Sequence, residues 1–83
     1  MSPRRSKEQI IIQILTACQG DGISKTQIVY RVKTDFKNLN LYLDLLIKKG
    51  MLEVIQGKFA HYKTTAKGEN AMESLRAVVE SCS

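Results

Sequence analysis

The chain has 83 residues, 43% of them hydrophobic and 25% charged, and a formal net charge of +5. This length holds one small domain with a modest core. Its longest apolar runs, Ile10-Ile11-Ile12 and Leu45-Leu46-Ile47, are far below the roughly 18 residues that span a bilayer.

The basic start, Met1 to Arg5, reads as a disordered arm with no secretory signal region behind it, which predicts a cytoplasmic protein. Ser6 with Gln9 three residues on is a capping-box pattern. A first helix is predicted over about 7–19, with Ile10, Ile11, Ile14, Ala17 and Cys18 on one face. Ile12 and Leu15 widen that face sideways, and Gly20-Asp21-Gly22 ends the helix. Ser24 caps a second helix, Lys25 to about Val32, with Gln27 three residues on and Ile23 placed to staple against Ile28. Its inward residues are Ile28, Val29 and Val32.

Thr34-Asp35-Phe36 reads as a turn, and a third helix follows over about 37–49. At 100° per residue, Leu39, Tyr42, Leu43, Leu46 and Ile47 form one arc, and Lys37, Asn40, Leu41, Asp44 and Lys48 the opposite one. Gly50 follows the Lys48-Lys49 last turn as a C′ glycine. A hairpin is predicted over 51–64 with a two-residue Gly57-Lys58 connection of type II′. Thr65 caps a fourth helix over about 66–81, where Gly68, Ala71, Leu75, Val78 and Cys82 recur at 3-4 spacing beside Met72 and Val79.

Chemistry is conspicuous by what is missing. Cys18 and Cys82 lie far apart without metal-ligand spacing, and His61 is the only histidine, so no zinc set exists. Cys18 on an apolar face reads as a small buried thiol, and a disulfide is not expected in a reducing cytoplasm. No nucleophile–base set, P-loop or dinucleotide fingerprint is present. The expectation is a protein that is not an enzyme and needs no cofactor or metal.

Charge is uneven. Residues 1–67 carry twelve Lys/Arg against five Asp/Glu, whereas residues 68–83 carry Arg76 against Glu69, Glu73 and Glu80. A basic body favours a polyanionic partner. The element order, H1-H2-H3-β-β-H4, mainly α with a small β-hairpin, is that of a winged helix-turn-helix, whose second motif helix enters the DNA major groove. On that reading Asn40 pairs with adenine, Asp44 accepts from cytosine and Leu41 touches a thymine methyl, with Asn38 alongside. Lys37 and Lys48 reach phosphates, as do Lys25, Thr26, Arg31 and Lys33 around the second helix. The second helix's N-terminal amides are also placed to hold a phosphate. Lys58, His61 and Lys63 form a basic wing on the backbone or minor groove, and Arg4 and Arg5 a basic arm.

Leu39, Tyr42, Leu43, Leu45 and Leu46, then Gly50-Met51-Leu52, Tyr62, Thr64-Thr65 and Lys67-Gly68, together resemble the small archaeal winged-helix DNA-binding proteins of the ten-kilodalton type. Ser6-Lys7, Ile10-Ile11, Ile14-Leu15, Cys18, Ser24-Lys25-Thr26 and Ile28 fit as well, so the likeness covers nearly all of residues 6–80. The resemblance implies double-stranded DNA binding by a homodimeric transcriptional regulator or chromatin-type protein, associated with the nucleoid. It further implies a winged-helix domain over 6–64, preceded by the arm at 1–5 and followed by a dimerisation helix over 65–83. Ile12, Leu15, Ala71, Met72, Leu75, Val78, Val79 and Cys82 are the residues expected at the dimer seam, shared between the first and fourth helices. Two features depart from the family's pattern: Thr64 replaces an aliphatic residue, and the last helix is short. A protein-docking winged helix and a nucleoid protein without sequence preference are the alternative readings.

Overall fold

The computed structural model describes residues 7–82, with side chains as far as Val78. Four helices and one hairpin follow in the order α1 (Lys7–Ala17), α2 (Lys25–Val32), α3 (Phe36–Lys48), β1 (Leu52–Ile55), β2 (His61–Thr64) and α4 (Ala66–Cys82). The Ser6 cap and the arm before it lie outside the described residues. Five elements build one core: Ile14, Leu15 and Cys18 from α1 and its end, Ile28 and Val32 from α2, Leu39, Leu43 and Leu46 from α3, Leu52 from β1 and Met72 from α4, with Tyr62 of β2 packed against it. Burying side chains of this size stabilises by about 1.5–3 kcal/mol each. The inward arc of α3 is as expected, with Tyr42 and Ile47 half-buried at its margins.

Local capping sets the helix ends. The Ser24 hydroxyl accepts from the Gln27 N–H while the Gln27 side chain accepts from the Ser24 N–H at 3.1 Å, a complete capping box. Asp35, expected in a turn, is the N-cap of α3, its carboxylate accepting from the Asn38 N–H at 2.7 Å, so the helix opens at Phe36. At the far end, the Met51 N–H bonds the Leu46 carbonyl at 2.9 Å and the Gly50 N–H bonds Ile47 at 3.0 Å. That pair is a Schellman motif, with Gly50 at φ 77 supplying the left-handed residue.

The end of α3 and the start of α4 meet at one joint. The Thr65 N–H bonds the Met51 carbonyl at 3.0 Å. Its hydroxyl donates to the Gly50 carbonyl at 2.6 Å and accepts from the Gly68 N–H at 3.0 Å, so one cap side chain bonds both helices. A Cβ at Gly68 would collide with the Met51 carbonyl and the Thr64 methyl. The backbones therefore approach as closely as they do only because Gly68 has no side chain.

Thr64, where the family pattern has an aliphatic residue, is 5% exposed. Its hydroxyl donates to the Leu15 carbonyl at 2.7 Å, and its N–H bonds the Cys18 carbonyl at 3.1 Å. Leu15 lies in the last turn of α1, where carbonyls have lost their intrahelical partners. Thr64 thus closes the C-terminal end of α1 from another element, a task no aliphatic side chain can perform.

The hairpin differs from its predicted form. β1 and β2 are antiparallel with Leu52 opposite Thr64, Glu53 opposite Lys63, Val54 opposite Tyr62 and Ile55 opposite His61. The connection is therefore the five residues 56–60, not a Gly57-Lys58 pair. A II′ turn needs positive φ at its first central residue, and the glycines with positive φ are Gly20, Gly22 and Gly50. The register explains the outcome. A Gly57-Lys58 turn would pair Leu52 with Lys63 and Val54 with His61, bringing Lys63 and His61 to the core face. The observed pairing puts Thr64 and Tyr62 there and turns His61 and Lys63 outward. Tyr62 also exchanges both backbone hydrogen bonds with Ile23, at 3.1 and 2.8 Å, as an isolated antiparallel bridge. This third partial strand ties the start of α2 to the hairpin.

α4 lies along α1 of the same chain. Leu15 at 0% and Met72 at 4% exposure are consumed in this intrachain core, and the Thr16 hydroxyl reaches the Met72 sulfur at 3.2 Å. Both were expected at a dimer seam; burial within one chain removes them from it.

Two substitutions test this account by thermal melting. Gly68→Ala should cost about 1–3 kcal/mol through overpacking of backbone. Thr64→Val, which keeps the volume, should cost about 1–3 kcal/mol by leaving the Leu15 carbonyl unpaired. At about 4–8 °C per kcal/mol for a domain of this size, a wild-type Tm in either variant would refute the corresponding contact.

Candidate nucleic-acid interface

α2 and α3 are joined by three residues, Lys33, Thr34 and Asp35. Lys33 ends α2 in the left-handed region at φ 59, with its N–H bonded to the Val29 carbonyl at 2.9 Å. This compact corner orients the polar arc of α3. Lys37, Asn38, Asn40, Leu41, Asp44 and Lys48 are all exposed on it, while the opposite arc is spent in the core. Leu41 is 65% exposed and Leu45 38%. With Lys7, Asn38 and Tyr42 they line a shallow groove of about 260 Å³. The Asn38 amide leans on the Asp35 carboxylate at 3.4 Å, so that side chain is partly engaged by the helix cap.

A second group forms around the wing. Lys58 is exposed in the connecting loop, and His61 and Lys63 are half-buried on the outward face of β2. The Ile23–Tyr62 bridge brings Lys25 and Thr26, at the start of α2, beside that strand. Glu53 stands opposite Lys63 in the ladder and offsets part of its charge. His61 Nδ1 lies 2.9 Å from the Phe59 carbonyl. A carbonyl only accepts, so Nδ1 carries the proton and the bond pins the loop.

Not every expected residue joins these groups. Arg31 lines a groove against α1 with Ile12, Gln13, Thr16 and Ala17, away from the polar arc of α3. Arg4 and Arg5 lie outside the described residues. The aromatics Tyr30, Phe36 and Phe59, 77%, 48% and 68% exposed, were not singled out from sequence. Phe59 was placed in a paired strand, so its position at a loop tip had no periodic signal. Asp35 did have one, an acidic residue directly before the helix whose carboxylate can accept from the N3 amide N–H.

Among the described residues no group of three or more His, Cys, Asp or Glu converges, and no helix is long and apolar enough to cross a membrane. Cys18 is fully buried. Burial pushes its thiol up from 9.0 to about 12, with the Arg31 guanidinium pulling the other way.

A winged helix-turn-helix family model matches residues 4–82. The chain belongs to the winged helix-turn-helix family. Two uncharacterized proteins of Methanocaldococcus jannaschii are similar over 77 residues, or 93% of this chain. MJ0290 is 31% identical and MJ0287 30% identical, and the matched regions make up 35% and 76% of their own lengths. The chain thus spans about a third of the first relative. Among solved structures, Sso10a-2, a DNA-binding protein from Sulfolobus solfataricus, superposes with a TM-score of 0.83 at 23% identity, over 92% of this chain and 80% of that one. A Listeria innocua protein of unknown function gives 0.73 at 23% identity, over 87% of this chain and 52% of that one. These likenesses establish the winged-helix fold.

The buried thiol gives a pH prediction. The unfolded chain loses the Cys18 proton near pH 9 while the folded chain keeps it to about 12. In that window the unfolded state binds fewer protons, so stability falls as pH rises. Below pH 9 the contribution is complete. Denaturant midpoints taken at about pH 8 and about pH 10.5 should drop further in wild type than in Cys18→Ala; equal drops would show that the thiol is not responsible.

Proposed function

We propose that this chain binds double-stranded DNA as a transcriptional regulator in the cytoplasm, on the nucleoid. α3 lies in the major groove and the basic wing on the backbone or minor groove. The observation that carries this reading is the division of α3 into a fully spent apolar arc and a free arc of Lys37, Asn40, Leu41, Asp44 and Lys48. That free arc shares a molecule with wing cations turned outward by the hairpin register. Lys37, Lys48, Lys58 and Lys63 contact phosphates, and Asn40 with Leu41 reads base edges. The name of the Sulfolobus neighbour, a DNA-binding protein, supports the same class of partner.

Fluorescence anisotropy across a salt series tests it. Binding should weaken linearly in log salt with a slope of about −0.9 per phosphate neutralised. Lys37→Ala with Lys58→Ala should weaken all sequences alike and flatten the slope by about two units. Asn40→Ala should relax preference at a single base pair by about 1–3 kcal/mol. Binding indifferent to salt would sink the model. A slope without any preference among sequences would favour the nucleoid reading. The apolar groove at Leu41 and Leu45 favours the protein-docking alternative, and a variant with Leu41→Asn that keeps full DNA affinity but loses a protein contact would support that instead.

The functional unit we infer is a homodimer. Burial fades along α4, from Met72 at 4%, through half-buried Ala71 and Leu75, to Val78 at 57% exposure. Ala71, Leu75 and Val78 continue as a stripe toward Val79 and Cys82, whose side chains are outside the described set, and half-buried Ile12 on α1 can join it. Sedimentation velocity should report twice the chain mass for wild type and a monomer for Val78→Glu. A monomeric wild type would overturn the dimer while leaving DNA binding standing.

A further inference from the structure

The five-residue wing loop carries a phenylalanine where the sequence pattern places a paired strand residue. Phe59 sits beyond the last ladder pair, Ile55 with His61, and is 68% exposed. It is not among the apolar residues packed on the core. Its neighbour Lys58 is exposed, and His61 follows two residues on. The His61 Nδ1–H donates to the Phe59 carbonyl at 2.9 Å, which holds the backbone of the tip in one place. A ring presented at a pinned tip, between cations, differs from a ring lying along a helix flank, where neighbouring methylenes can cover it.

We propose that Phe59 is a wedge that enters the DNA minor groove and partly unstacks one base step, bending the duplex. The inference rests on the duplex-binding reading above and adds what the wing does there. The ladder begins after three intervening residues, Lys49 to Met51, and its four residues span on the order of 10 Å at about 3.4 Å per residue. That length is comparable to the ~12 Å width of a major groove, so a tip beyond the ladder is long enough to reach a neighbouring groove. Lys58 and Lys63 then flank the insertion as phosphate contacts, and their charge offsets that of the backbone drawn toward the wing. Phenylalanine is among the apolar residues that serve as such wedges. An apolar ring makes no hydrogen bonds to bases, so its selectivity is for deformability. The pyrimidine–purine steps TA and CA/TG, which unstack most cheaply, are the sites it favours. This gives the protein a sequence preference that does not depend on the few base-reading groups of α3.

The chain contains no tryptophan, so Phe59→Trp introduces a single tryptophan at the tip, excited selectively over the three tyrosines. Anisotropy of labelled DNA and tryptophan emission are followed in one titration. Stacking on bases should quench the emission about twofold or more, saturating together with the anisotropy. In parallel, energy transfer between dyes at the duplex ends reads the bend. Wild type and Phe59→Leu should bend a duplex with a central TA step by roughly 20–90°, and Phe59→Ala should leave it nearly straight while keeping the salt slope of wild type. His61→Ala, which releases the tip, should reduce the bend. Saturated anisotropy with unchanged tryptophan emission, or an equal bend in Phe59→Ala, overturns the wedge and leaves duplex binding intact. No anisotropy change with any variant overturns both.

Discussion

The fold depends on the contact at which Gly68 lies against the Met51 carbonyl. Three elements meet around Met51: α3 stops at its Schellman motif, β1 starts at Leu52, and Thr65, the cap of α4, bonds the Met51 carbonyl through its N–H. The Thr65 hydroxyl bonds both helices, and Gly68 allows the backbones to close on it. A rotation of α4 would have to break its own cap and strand the Gly50 and Met51 carbonyls, which accept from Thr65. One residue earlier, Thr64 does the same for the end of α1. The segment Thr64–Gly68 therefore holds α3, the hairpin and the C-terminal helix in a single arrangement. The direction in which α4 offers its outer stripe follows from that arrangement.

The Thr64 side chain serves two needs at once. The Thr64 methyl packs near Gly68, and the hydroxyl satisfies a buried carbonyl. Each half of the side chain replaces something that the position needs, apolar volume on one side and a donor on the other. A buried polar group that is fully bonded costs little and adds geometric definition.

Much of the architecture was legible because it is written in helical periods and caps. Leu39, Leu43 and Leu46 announce the buried arc of α3, Ser24 with Gln27 announces the start of α2, and Gly50 announces the end of α3. The wing was not legible at the same level, since a Gly57-Lys58 pair satisfies local turn chemistry. What it violates is parity. A one-residue slip exchanges the faces of a strand, and Leu52 can be buried only if Thr64, and not Lys63, stands opposite it. Burial outweighed the turn. The Ile23–Tyr62 bridge was invisible for a simpler reason, because a one-residue pairing has no period. The seam residues Leu15 and Met72 were misassigned because an apolar stripe records that a surface is covered and not by which chain. Arg31 turns toward α1, a choice that depends on how α1 and α2 cross.

The electrostatics of the helix-turn-helix pair are asymmetric, and this bears on the proposed contact with DNA. α2 has a neutral cap, Ser24, and keeps its first-turn positive end available beside the wing. α3 is capped by the Asp35 carboxylate, which already occupies the Asn38 N–H. An anion of the chain's own sits where a phosphate would otherwise be drawn. With Asp44 further along, α3 is poorly placed to track the backbone by its own N-terminus. On the proposed DNA-binding reading it is carried into the groove by side-chain cations: Lys25 at α2, Lys58 and Lys63 on the wing, and its own Lys37 and Lys48 at its two ends. An arrangement of this kind relies on the wing for more than peripheral affinity. It makes the position of the hairpin, and hence the Thr64–Gly68 segment that fixes it, a determinant of how deeply α3 can reach.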